Sequence, residues 1–351
     1  MSEKTDIASL TAGELRERFA AMGEPGFRAD QVYRWLHVQR VMDFAEMTNI
    51  SKDLREKLDD EFVIFSCAIE KKLVSCYDGT VKYLFRLKDG EFVETVVMRY
   101  KYGLSVCVSS QVGCSMGCAF CASAIGGCVR SLRASEILWQ VYAAGLDLGE
   151  RISHVVMMGM GEPLVNYGSA VRFIELITGP VGQNIGARNI SLSTCGIVPK
   201  IYELAALESG ITLSISLHAP NDEIRSRLMP VNNRWNIEEL LKAVRFYIRK
   251  TGRRVSFEYT MIRGVNDSEE CASQLAQRLR GMLCHVNLIP VNSVRETGMR
   301  AAQDAQIRQF IAVLERAGVN TTVRRTLGAD INASCGQLRK ANQEKSNSKE
   351  G

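Results

Sequence analysis

The sequence predicts an α/β protein: a partial (β/α) barrel, preceded by a small helical module and a β-hairpin layer. Three observations carry that prediction. From Leu104 onward, apolar β-type runs alternate with helical patterns. Between Phe62 and Met98 the apolar residues instead alternate with a period of two. Before that, the chain carries helix-capping signals. A chain of 351 residues exceeds what one small core needs, so a large catalytic domain with a smaller appendage is the expected division.

In chain order, Thr11 can cap a helix with Glu14 three residues on, Asp30 precedes the amphipathic run QVYRWLHVQR, and Ser51 precedes KDLREKL. Residues 1–60 are therefore expected to form a helical accessory domain. VKYLFRL and FVETVVM follow, with Asp78-Gly79 and Asp89-Gly90 placed as hairpin turns, giving a hairpin linker layer over 61–100. The series LSVCVS, SEILWQVYAAGL, HVVMMGM, the helix around Val171–Ile177, ISLST, KIYELAALE, ITLSISL, IEELLKAVRFYIRK, VSFEYTMI, CASQLAQRLR, HVNLIP, AQIRQFIAVLERAG and TTVRR reads as successive βα units. They make residues 101–338 the barrel core, with function expected at the carboxyl ends of the strands. Residues 339–351 form a polar tail, expected to be disordered.

Composition narrows the function classes. Hydrophobic content of 46% and charged content of 24% fit a globular chain. No run of about 18 apolar residues is present, and the amino terminus lacks an apolar signal core; a cytoplasmic location without membrane contact is expected. Eleven cysteines are too sparse for a disulfide scaffold and point to metal or thiol chemistry. A net charge of +5 hints at an anionic partner.

The segment GCSMGCAFCAS sets Cys114, Cys118 and Cys121 in C-x3-C-x2-C spacing just after the first barrel strand. Three thiolates from one loop can hold three irons of a [4Fe–4S] cubane and leave the fourth open to a cofactor. A zinc knuckle fits less well, because no fourth Cys or His follows at zinc spacing. GMGEP (Gly159–Pro163), STCG (Ser193–Gly196) and SLHAPND (Ser216–Asp222) each end a predicted strand. A Gly-Glu pair there lets backbone approach a ligand while the carboxylate accepts from its ammonium; taken alone, the Glu162 segment reads equally as a turn.

The cysteine spacing, with Phe120 before its last member, resembles the signature of the radical S-adenosylmethionine superfamily. With QVGCSMGC, NLIPVN (Asn287–Asn292) and ADINASCGQL (Ala329–Leu338) added, nearly the whole chain resembles the RlmN/Cfr family of RNA adenine methyltransferases. That resemblance implies that Gly161, Glu162, Ser193, Ser216, Leu217, His218 and Asn292 contact S-adenosylmethionine. Alone, Cys107 and Cys335 read as packing thiols; the resemblance makes Cys335 the methyl acceptor and Cys107 its transient disulfide partner. Glu94, an exposed hairpin acid by alternation, aligns with the family's proton acceptor. Cys67, Cys76, Cys128, Cys195, Cys271 and Cys284 match no role and are read as packing residues. Asn332 stands where the family has Asp, and Cys195 where Ser is usual.

Adenine carbon 2 is electron-poor and will not attack an electrophilic methyl group, so a radical route is required. The resemblance implies two S-adenosylmethionine molecules per turnover, one methylating Cys335 and one yielding the radical that activates that methyl. It further implies 23S ribosomal RNA and transfer RNA as substrates, an external electron donor such as flavodoxin or ferredoxin, and action as a monomer. An adenine within a stack is unreachable, so a loop or flipped nucleotide is expected. Arg130, Arg133, Arg225, Arg227, Arg234, Arg249, Lys250, Arg253, Arg254, Arg324 and Arg325 are candidate phosphate contacts, each of which alone reads as a solvated surface charge. The rivals are carbon-8 methylation, against which Pro163 after Glu162 speaks, a non-methylating radical enzyme, and a zinc-dependent RNA-binding protein.

Overall fold

A computed structural model describes residues 4–292 and 297–333; Cys335 and residues 339–351 lie outside that range. The amino-terminal module contains β1 (Thr5–Asp6), α1 (Ala12–Ala21), α2 (Gly26–Arg34), α3 (Lys52–Glu61) and β2 (Phe62–Val63). Thr11 caps α1 in a reciprocal box with Glu14, and Ser51 caps α3. Asp30 does not start a helix. Instead α2 begins at Gly26 behind Pro25, and Asp30 lies inside it, paired with Arg16 at 2.7 Å.

A ten-stranded sheet follows. Its antiparallel part is the meander β3 (Cys67–Val74), β4 (Val81–Leu87) and β5 (Phe92–Tyr100), which runs into β6 (Gly103–Cys107). A short hairpin, β7 (Gln111–Gly113) with β8 (Cys128–Ser131), brackets the cysteine loop. Next come α4 (Ala134–Leu148), β9 (Ile152–Met157), α5 (Tyr167–Thr178), β10 (Ile190–Thr194), α6 (Val198–Ala206) and β11 (Thr212–Ser216). The chain continues through α7 (Asp222–Leu228), α8 (Ile237–Thr251), β12 (Val255–Met261), α9 (Glu269–Leu279), β13 (Cys284–Pro290), α10 (Asp304–Arg316) and β14 (Thr321–Val323).

Strands β6 and β9 to β14 are parallel in sequence order, as right-handed βα units produce. The meander adds its strands to the same sheet beside β6. Residues from β5 and β6 share one cavity with residues around the ends of β13 and β14, so the sheet curves without closing, as a partial barrel does. The parallel strands read as apolar runs because helices cover them: Val155, Leu192, Leu213, Ile215, Phe257 and Leu288 are fully buried. Among the described residues, no helix is long and apolar enough to cross a membrane.

Two elements beside the cysteine loop leave no periodic pattern in the sequence. One is the β7–β8 hairpin, too short to show alternation. The other is α7, whose 7 residues fall short of two helical turns and run into Pro230.

Candidate active site

The cysteine loop is fixed at three places. The β7–β8 ladder closes its base; the Cys114 N–H donates to the Gly127 carbonyl at 3.0 Å, and the Ala119 N–H donates to the Leu228 carbonyl of α7 at 2.9 Å. Cys114, Cys118 and Cys121 thereby line one cavity of about 810 Å³ with Gly161, Glu162, Ser193, Ser216 and His218. This cavity opens at the carboxyl ends of β9 to β13, where a barrel carries its chemistry.

Each wall has a local cause. At Gly161, φ is +100° and a Cβ would meet Gln111 at 2.6 Å, so the chain can turn there only with glycine. Beyond that turn, the Glu162 carboxylate accepts from the backbone N–H groups of Leu164 at 2.9 Å and Cys195 at 2.7 Å. It therefore ties the GMGEP and STCG segments together. Burial raises the pKa of Glu162 against those hydrogen bonds.

His218 adopts a left-handed φ of +56°. Its Nδ1 accepts from the Thr260 N–H at 2.9 Å, and its ring meets Phe120 edge-on at 4.8 Å. Burial holds its pKa near 3, so the imidazole is neutral. Leu217 is fully buried and lines neither cavity.

Thiols crowded in a buried site resist ionisation. Burial and the neighbouring Cys121 push Cys114 up to about 11, and burial with both other cysteines raises Cys118 further. Iron relieves both costs by binding the thiolate form. Among the described residues, no set of three His, Cys, Asp or Glu side chains is arranged around a single ion. A cubane places no such demand, since each of its irons takes a separate thiolate. Three thiols lining one cavity are a donor set that such a cluster can use.

A second cavity, about 870 Å³, adjoins the first, with Met158, Ile289 and Arg324 lining both. Cys107 and Asn292 line this second one. Cys107 packs with Val96 and Met98, and Ala333, two residues before Cys335, packs against that group. Residues 328–333 are held to the β3–β4 turn: Gly328 N–H donates to Asp78 at 2.8 Å, Ser75 Oγ and the Cys76 N–H donate to Asp330 at 2.7 and 3.0 Å, and Lys82 Nζ donates to the Asn332 carbonyl at 2.8 Å. Asn332 has φ +46°, a region where Asn is one of the few comfortable side chains.

Several sequence expectations need correction. Glu94 is no exposed hairpin acid: its side chain is wholly buried, pairs with equally buried Lys82 at 2.9 Å and lines neither cavity. Both faces of β5 are covered, so alternation there does not signal exposure. Arg225 is no surface charge either, being fully buried. Cys76 is exposed rather than packed, its thiol donating to Asp330 at 3.3 Å. Cys195 is buried but lines the cysteine cavity. Glu258, which the sequence reading did not single out, also lines that cavity; it accepts from Asn287 Nδ2 at 2.7 Å, and burial raises its pKa. A lone carboxylate inside an otherwise uncharged predicted strand was the available signal.

Comparison with known proteins agrees with this geometry. Residues 5–64 match the ribosomal RNA large subunit methyltransferase N-terminal domain, and residues 108–275 match the radical SAM superfamily. A probable dual-specificity RNA methyltransferase RlmN from Lachnoclostridium phytofermentans is 51% identical over 98% of this chain and 97% of its own. One so named from Alkaliphilus oremlandii is 52% identical over 96% of this chain and 98% of its own. The crystal structure of a radical SAM methyltransferase from Sphaerobacter thermophilus superimposes with a TM-score of 0.90 at 43% identity, covering 95% of this chain and 98% of that one.

Proposed function

Because the chain belongs to the RlmN family of radical S-adenosylmethionine RNA methyltransferases, with a [4Fe–4S] cluster and S-adenosylmethionine as its cofactors, we propose that it makes 2-methyladenosine in both ribosomal and transfer RNA. Within the ribosome, the target is an adenine of the 23S peptidyl-transferase region; in transfer RNA, it is one beside the anticodon. The observation that carries this reading is the pair of adjoining cavities, one holding the three loop cysteines and the other holding Cys107 beside the chain that leads to Cys335.

In this reading, Cys114, Cys118 and Cys121 hold the cluster, and Gly161, Glu162, Ser193, Ser216, His218 and Asn292 hold S-adenosylmethionine, while Leu217, which lines neither cavity, supports its neighbours Ser216 and His218 from the core. Cys335 attacks the methyl of one S-adenosylmethionine as a thiolate and becomes S-methylated. The bound cluster and a second S-adenosylmethionine supply the one-electron chemistry that removes a hydrogen atom from that methyl. Its carbon then bonds to adenine carbon 2, joining Cys335 to the RNA. The adduct then gives up the carbon-2 proton to a base, for which the resemblance supplies Glu94, held by Lys82 outside both cavities, and its unpaired electron would return to the bound cluster. Cys107 then attacks the Cys335 sulfur, the carbon–sulfur bond breaks with its electron pair on the methylene carbon, that carbon takes up a proton to give the methylated base, and an external thiol or electron donor reduces the disulfide. The protein supplies geometry and excludes water.

The test is digestion of both RNAs after reaction with the cluster-loaded enzyme, followed by mass spectrometry. The expected product is 2-methyladenosine in each. Finding 8-methyladenosine instead would overturn the carbon-2 assignment, and a fully active Cys335→Ala variant would overturn the methyl-cysteine route.

A further inference from the structure

Helix α7 lies under the cysteine loop and carries a charge that the reaction scheme above does not use. Arg225 is fully buried. Its guanidinium donates to the Cys195 carbonyl at 2.6 Å, the Leu217 carbonyl at 3.2 Å, the Ser216 carbonyl at 3.4 Å and Asn232 Oδ1 at 3.0 Å. All of these acceptors are neutral. Among the described residues, no carboxylate forms an ion pair with it: Asp222 acts only through space, its own carboxylate accepting from the Ile237 N–H at 2.8 Å.

A buried cation without a counter-ion is costly and uncommon, and it is retained where a negative charge arrives later. The arrangement shows where that charge arrives. The backbone groups that Arg225 grips end β10 and β11, which form the wall behind the cysteines. One helical turn further along α7, the Leu228 carbonyl holds the loop itself through the Ala119 N–H.

We propose that Arg225 is a positioning residue that also acts electrostatically, as the buried counter-charge that raises the reduction potential of the iron–sulfur cluster. At the same time its fork holds the S-adenosylmethionine-binding ends of β10 and β11 in register. The proposal rests on the assignment of Cys114, Cys118 and Cys121 as cluster ligands. Reduction adds one electron to a cluster that three thiolates already make anionic. A fixed positive charge in a site of low polarisability favours that added electron. Lysine would supply the charge but not the planar set of donors.

The experiment uses full-length, anaerobically reconstituted protein, with dithionite as the electron source and electron paramagnetic resonance following the reduced cluster. Iron and sulfide content is measured first; a wild-type chain that binds no cluster defeats the cluster assignment itself. Given a loaded wild type, Arg225→Gln is expected to lower the equilibrium constant for one-electron reduction at least tenfold, which is about 59 mV towards more negative potential. Should Arg225→Gln fold or load poorly, Asn232→Asp places a carboxylate on the same guanidinium without removing it, and the same direction of shift is expected. Arg225→Lys should keep the wild-type potential yet weaken S-adenosylmethionine binding. Loaded Arg225→Gln or Asn232→Asp protein at the wild-type potential would overturn the proposal, as would Arg225→Lys shifting as far as Arg225→Gln.

Discussion

Glu162 shows how much a single side chain holds in place. Its carboxylate satisfies two buried N–H groups from different strand ends, and each buried donor left unpaired costs about 1–3 kcal/mol. Glu162→Ala should therefore weaken S-adenosylmethionine binding at least tenfold while leaving iron content near normal, as calorimetric titration beside iron analysis would check. Lys82 and Glu94 present a different balance. With both fully buried, Lys82→Ala alone strands a charge and should cost about 3–5 kcal/mol; Lys82→Met with Glu94→Leu should recover most of that loss in denaturant unfolding while abolishing methyl transfer. Sequence shows some of these residues and hides others for physical reasons. The cysteine triplet is legible because its donors come from one loop, whereas Arg225 lies among Asp222, Glu223 and Arg227 and has the pattern of a solvated face. Its burial depends on backbone carbonyls that leave no trace in side-chain identity.

At the scale of elements, the strand and helix series was legible throughout the barrel, since each parallel strand is an apolar run and each long helix an amphipathic one. The pieces that escaped, β7, β8 and α7, are shorter than the periods needed to reveal them, yet they fix the loop that does the chemistry. The link between residues 328–333 and the β3–β4 turn likewise depends on hydrogen bonds across some 250 residues of sequence. Asp330→Ala should release the Cys76 N–H and lower methyl transfer several-fold, with cluster content unchanged. Hydrogen exchange over 75–80 together with an RNA methylation assay would check this; unaltered protection at Cys76 would count against the link.

The whole molecule carries an acid sensitivity that can be derived from two imidazoles. Burial holds His37 and His218 each near 3, against an ordinary value of 6.5. Between those limits the unfolded chain binds a proton at each site and the folded chain does not, so stability falls as pH drops from about 6.5 towards 3. Each histidine contributes up to about 1.4 kcal/mol per pH unit in that window. Burial raises Asp6, Glu162 and Glu258; these groups hold their protons longer in the folded state and oppose the slope at its acid end. A lower denaturant midpoint at pH 5.5 than at pH 7, with a smaller loss in His37→Gln, is the expected result.

The meander also constrains how such a protein can be inherited in parts. A core trimmed to β6 and the strands after it would keep every loop cysteine, but it would lose the side of the Cys107 cavity built by Val96 and Met98 and the turn that receives Asp330. Exchange between related genes would fail wherever a crossover separated the hairpins from the carboxyl-terminal segment. The two stretches must travel together, although the rest of the barrel is encoded between them.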